Sequence, residues 1–89
     1  MNRKDLLEKA IDLTMGERNE DYGDVFENHQ RIADIFNAAT DSNFMLTAAD
    51  IAMVHIATKL ARMQTSPEKP DHAVDLMAYA GIWFECRNG

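Results

Sequence analysis

The sequence predicts an all-α protein, a four-helix bundle-like single domain, and three observations carry that prediction. Four segments place apolar residues at helical spacing, no segment sustains strand-type alternation between turn residues, and the segment boundaries coincide with capping signals and prolines. The expected helices cover residues 3–15, 24–39, 48–65 and 71–86, to within a residue or two at each end.

In the first helix Asn2 is the cap, with Asp5 three residues on, and Gly16 follows the last turn. Leu6, Leu7, Ala10, Ile11 and Thr14 form one face, while Lys4, Glu8, Lys9 and Asp12 belong in water. The stretch Glu17-Arg18-Asn19-Glu20-Asp21-Tyr22-Gly23-Asp24 is too polar and too rich in turn formers to continue that helix, and reads as a loop. Gly23 is expected to supply a positive φ that anchors Tyr22. Asp24 and Glu27 have capping-box spacing for the second helix, whose inward residues are Val25, Phe26, His29, Ile32, Ala33 and Phe36.

Thr47 and Asp50 repeat that spacing before the third helix, which is apolar almost all round and is therefore expected to be central. Its polar stripe is His55, Thr58, Lys59 and Arg62. Pro67 and Pro70 end it and prepare the fourth helix, because proline suits a first turn and not an interior. The fourth helix also lacks a full solvent face, and Asp71, His72, Asp75 and Tyr79 line one side of it. Ala78 and Gly81 offer small residues where another backbone could come close. Two helices with such broad apolar surfaces in a chain of 89 residues present more than two short amphipathic helices can cover. A homo-oligomer, dimer or tetramer, is the expected solution.

Composition narrows the function. The formal charge is -6 and the acid excess lies before residue 45, with no basic cluster, which disfavours binding to duplex nucleic acid. One cysteine, Cys86, cannot close an internal disulfide, the first ten residues are charged where a signal peptide would be apolar, and no apolar run is long enough for a membrane span. A cytoplasmic protein is expected.

The chemistry-bearing residues gather on the third and fourth helices. A short link makes these antiparallel neighbours, and the expected register sets Arg62 level with Asp75 and Lys59 level with Tyr79, with Asp71, His55 and His72 nearby. Two readings are open. Charges on nearly buried helices require partners, so the group is a structural ion-pair network; or the carboxylates Asp71 and Asp75 hold Mg²⁺ while Lys59 and Arg62 grip phosphate oxygens. Glu20, Asp24 and Glu27 extend the second reading if the acidic loop reaches the fourth helix. Capping alone accounts for Asp24 and Glu27. Tyr22, Tyr79 and His55 are the candidate ligand-binding side chains. His29, on an apolar face, reads as a hydrogen-bonded core histidine, and Cys86 lacks an activating base.

Taken together, Glu17 to Asp24, Glu27-Asn28, Arg31-Ile32-Ala33, Lys59-Leu60-Ala61-Arg62, and Asp71 with Asp75-Leu76-Met77-Ala78-Tyr79-Ala80 resemble a family of small phage and prophage proteins described as MazG-like. The resemblance covers roughly residues 14–84. It implies kinship with the all-α nucleoside triphosphate pyrophosphohydrolases, which oligomerise and use Mg²⁺ to split a nucleotide into monophosphate and pyrophosphate. Those enzymes carry Glu-x-x-Glu on one helix and Glu-x-x-Asp on a later one. Here the third helix has no Glu-x-x-Glu, and Asp75 alone matches the acid of the second motif. Three functions follow as expectations: a Mg²⁺-dependent pyrophosphohydrolase, a non-catalytic nucleotide- or signal-binding or host-interaction protein on the same scaffold, and a purely structural oligomer.

Overall fold

A computed structural model describes residues 1–15, 24–41 and 45–88. They form four helices, α1 (Arg3–Met15), α2 (Val25–Thr40), α3 (Ala48–Thr65) and α4 (Pro70–Asn88), so the all-α expectation holds. The helix starts follow the sequence signals. Asn2 accepts the Asp5 amide at 3.0 Å while Asp5 accepts that of Asn2, and Thr47 and Asp50 close the same reciprocal box. Each such cap contributes about 1 kcal/mol. Asp24 accepts the Glu27 amide at 2.9 Å, a single cap bond rather than a box. Pro70 occupies the first position of α4, where its missing N–H costs nothing. Asp41 closes α2 in the left-handed region at φ 50°.

The helix that organises the fold is α4, not the expected α3. Antiparallel α3 and α4 share the most extensive contact, α2 lies on α3 and touches α4, and among the described residues α1 packs on α4 alone. Leu6 shares a recess with Pro70 and Ala73, Ala10 packs with Val74 and Ala78, and Met15 lines a groove with Glu85, so α1 runs in the same sense as α4.

The inward faces are narrower than the apolar patterns suggest. In α1 the inward residues are Leu6, Ala10 and Leu13, while Leu7 and Ile11 of the expected inner face are exposed. The inner line of α2 is His29, Ala33 and Asn37, whereas Phe26, Ile32 and Phe36 reach solvent. Met53, Val54 and Leu60 of α3 are exposed too. α1 has one neighbour, α2 and α3 have two and α4 has three, and each helix carries more apolar surface than its neighbours cover. Alanine dominates the buried positions, and no large side chain among the described residues is completely enclosed. The radius of gyration of 14.0 Å exceeds the roughly 12 Å of a compact domain of this length.

Candidate functional site

The α3/α4 hairpin builds the site, and its turn sets the register. The Ser66 amide still donates to the Arg62 carbonyl at 2.8 Å, and the Lys69 amide donates to Ser66 at 3.2 Å, so the chain reverses tightly around Pro67. Residues equally far on either side of Pro67 therefore face each other. Lys59 and Asp75 are one such pair, with Lys59 Nζ 3.0 Å from Asp75 Oδ2 and the two side chains 17% and 26% exposed. His55 and Tyr79, one turn further from the turn, are the next, stacked with centroids 4.6 Å apart and planes at 21°.

This corrects the expected register by about one turn. Lys59, not Arg62, pairs with Asp75, and His55, not Lys59, meets Tyr79. The expectation centred the hairpin on the middle of the link. Because α3 keeps its last hydrogen bond to Ser66 and the turn closes at once, the centre falls earlier. The same register brings exposed Arg62 level with exposed Asp71 and with His72, nearer the turn. The result is a ladder: rings at its inner end, the ion pair in the middle, an exposed cation and carboxylate at its outer end.

α2 supplies a third ring. His29 stands edge-on to His55, with centroids 5.5 Å apart and planes at 76°, and lies 6.3 Å from Tyr79. It is 5% exposed, and its Nδ1 donates to the Val25 carbonyl at 2.9 Å. The expectation of a hydrogen-bonded core histidine thus holds. That bond puts a proton on Nδ1, and the buried Nε2 has no hydrogen-bond partner among the described residues. Burial, then the nearby His29 and then Lys59, hold the His55 pKa below the ordinary 6.5, so His55 is neutral at physiological pH.

The remaining candidates spread apart. Asp24 caps α2 and Glu27 is exposed in its first turn, while Glu20 and Tyr22 lie outside the described residues. Among the described residues no three His, Cys, Asp or Glu side chains converge as a metal cage. Asp71 and Asp75 remain one turn apart on α4. Two carboxylates with cations alongside fit the way Mg²⁺ is shared with phosphate oxygens and water, rather than an all-protein site. Cys86 is buried, and its thiol is pushed above 9.0 by burial and by the charges of Glu85 and Asp24, which makes it a poor nucleophile. Sequence reasoning missed the His29–His55–Tyr79 cluster. His55 and Tyr79 already stood on the polar sides of the hairpin, and the available signal for the third ring was that His29 is polar on an otherwise apolar face, where polar atoms seek one another.

The fold and site define an all-α helical protein with a half-buried lysine–carboxylate pair set on an imidazole–tyrosine stack. The family model "Domain of unknown function (DUF6378)" matches residues 5–87, and the chain belongs to that family. It is similar to the Gene 55 protein of Mycobacterium phage L5, 36% identical over 77 residues, which are 86% of this chain and 49% of that protein. It is also similar to the Gene 55 protein of Mycobacterium phage D29, 34% identical over 76 residues, 85% of this chain and 49% of that one. The chain thus spans about half the length of the curated relatives it matches. No solved structure matches it. No helix among the described residues is long and apolar enough to cross a membrane.

Proposed function

We propose that this protein is a MazG-like nucleotide-handling protein, a Mg²⁺-dependent pyrophosphohydrolase of canonical or modified nucleoside triphosphates. The observation that carries the reading is the hairpin ladder, in which the Lys59–Asp75 pair sits between the His55–Tyr79 stack and the outer Arg62 and Asp71. Aromatic and imidazole rings offer a base a surface, with Tyr22 of the acidic loop a further candidate. Lys59 and Arg62 place positive charge for phosphate oxygens, where preorganised cations stabilise developing negative charge. Asp71 and Asp75 would hold Mg²⁺ together with the phosphates, and the ion would supply charge neutralisation there. Neutral His55 can accept a proton at physiological pH. Glu20 and Glu27 remain candidate additional ligands, whereas Asp24, beside Glu85 and so about 15 Å along α4 from Asp75, drops out of the metal set; the working unit is a homo-oligomer in the host cytoplasm.

Pyrophosphate release from a panel of canonical and modified triphosphates, with Mg²⁺ or Mn²⁺ at high protein concentration, tests the reading. Turnover that falls at least tenfold in Lys59→Gln and Asp75→Asn supports it; no turnover with any substrate ends the hydrolase reading. A second reading, a non-catalytic nucleotide- or signal-binding or host-interaction protein, draws on one observation: Lys59 already holds the Asp75 carboxylate at 3.0 Å and competes with a metal for it. It predicts a ligand-dependent thermal shift without product, and no shift with any nucleotide ends it as a nucleotide binder.

A further inference from the structure

The groove between α1 and α4 is open and largely apolar, with carboxylates lining one end and the start of α1, Arg3 and Lys4, lying beyond the other. Its volume is about 350 Å³ and its floor is small, built by Ala10, Ala78 and Gly81. Space remains above Gly81, since a Cβ placed there would meet nothing within 4 Å. Leu7, Ile11 and Met15 run along one wall at helical spacing and are 49%, 58% and 74% exposed. Near the C-terminal end of α1 the lining turns acidic, with Asp24 and Glu85. Both carboxylates also act on the Cys86 thiol, which places them in one neighbourhood. At the opposite end α1 begins with Arg3 and Lys4. By helical geometry Lys4 lies on the same stripe as Leu7 and Ile11. Its own partner there is Glu8, 4.0 Å away in an exposed pair that costs little to exchange.

These features are self-complementary. A two-fold axis crossing α1 between Leu7 and Ile11 lays a second α1 antiparallel to the first. Leu7 of each copy then meets Ile11 of the other, as an isologous contact requires. The same operation carries Lys4 of each copy to the level of Thr14 and Met15, beside Asp24 and Glu85 of its neighbour. The molecule as a whole exposes enough area for an interface of standard size. A 10.1 kDa monomer is expected to expose about 5,300 Å², and this chain exposes 6504 Å². The surplus, about 1,200 Å², exceeds the roughly 800 Å² that each partner gives to a standard interface. We propose that the α1/α4 groove is the homodimer face, occupied by α1 of a second copy, with Lys4 of one copy set against Asp24 and Glu85 of the other. The proposal rests on the homo-oligomer reading and is independent of the nucleotide reading.

Light scattering coupled to size exclusion, followed by sedimentation equilibrium, tests it on the full chain. The expected result is a dimer, or a tetramer that contains it. Ile11→Asp should weaken self-association at least about tenfold, because each substitution counts twice across a two-fold axis. Ile35→Asp, on the exposed side of α2, should leave that association unchanged. Lys4→Glu and Glu85→Lys should each weaken the dimer, and the double variant should restore it, a rescue that a folding defect cannot produce. A monomer at every concentration overturns both the oligomer reading and this face. An oligomer indifferent to Ile11→Asp but broken by Ile35→Asp overturns the face alone, and a double variant as weak as its parents overturns the two-fold alignment.

Discussion

Lys59 Nζ and Asp75 Oδ2 meet at 3.0 Å across the α3/α4 hairpin, with both side chains about four-fifths withdrawn from solvent. An ion pair at this depth is costly to break from one side, because the remaining charge stays half-buried without its partner. Asp75→Leu and Lys59→Met are each expected to cost about 1–3 kcal/mol, between the values for exposed and buried pairs. The double variant Lys59→Met/Asp75→Leu should recover most of that loss. Chemical denaturation of the four proteins as a double-mutant cycle gives the coupling. Additive losses would show that the pair contributes nothing as a pair.

The helices were legible because local chemistry writes them: caps at Asn2, Asp24 and Thr47, prolines at 67 and 70, and apolar spacing between. The candidate site was legible in its membership on α3 and α4 but not in its pairing. Register depends on where the turn closes, and the Ser66 and Lys69 hydrogen bonds that decide this leave only a weak signature in sequence. Which apolar residues face inward was also beyond the pattern. Leu7 and Ile11 fit the amphipathic stripe of α1 as well as Leu6 and Ala10 do, and only the position of α4 separates them. His29 joined the rings of α3 and α4 through a crossing of helices that no spacing within α2 could reveal.

His55 makes stability depend on pH with a definite sign. Burial, His29 and Lys59 hold its folded pKa below the ordinary 6.5, so between those two values the unfolded chain binds the proton that the folded chain refuses. The contribution of neutral His55 is therefore complete above pH 6.5 and is lost as pH falls from there through the folded pKa. The groups facing it are His29 from α2, Lys59 on its own helix, and Tyr79 with Asp75 from α4. Urea midpoints should fall between pH 7 and pH 5, and His55→Phe should flatten that slope. An unchanged slope in the variant would assign the dependence to another group.

His29 offers a test of what an unmet polar atom costs. Its Nε2 is buried without a partner among the described residues, and the Val25 carbonyl it binds through Nδ1 lies within a helix that offers other donors. His29→Phe keeps a flat ring at the site and removes the orphan, so it should change stability by less than about 1 kcal/mol. His29→Ala leaves a cavity and should cost about 2–3 kcal/mol. Thermal melts of both variants decide the matter. A Phe variant as unstable as the Ala variant would mean that Nε2 has a partner in solution, such as a bound water.

Asn37 carries the sharpest prediction about the fold. Its side-chain amide donates to the Leu46 carbonyl at 2.9 Å and its oxygen accepts the Leu46 amide at 2.9 Å, so one buried residue satisfies both backbone groups of another. That clasp ties the middle of α2 to the segment leading into the Thr47 cap of α3. Asn37→Ala leaves two part-buried backbone groups unmet and should cost about 2–4 kcal/mol, lowering the melting temperature by roughly 10–20 °C for a chain this short. Asn37→Asp keeps the acceptor but turns a second oxygen toward the Leu46 carbonyl. It should be at least as damaging near neutral pH and recover partly in acid, where a protonated carboxyl can donate in place of the lost amide. Amide exchange at Leu46 and Asp50 reads the clasp directly: both should exchange faster in the Ala variant, because the cap loses its anchor along with the bond. Unchanged exchange at Asp50 would show that the Thr47 box holds α3 without help from α2.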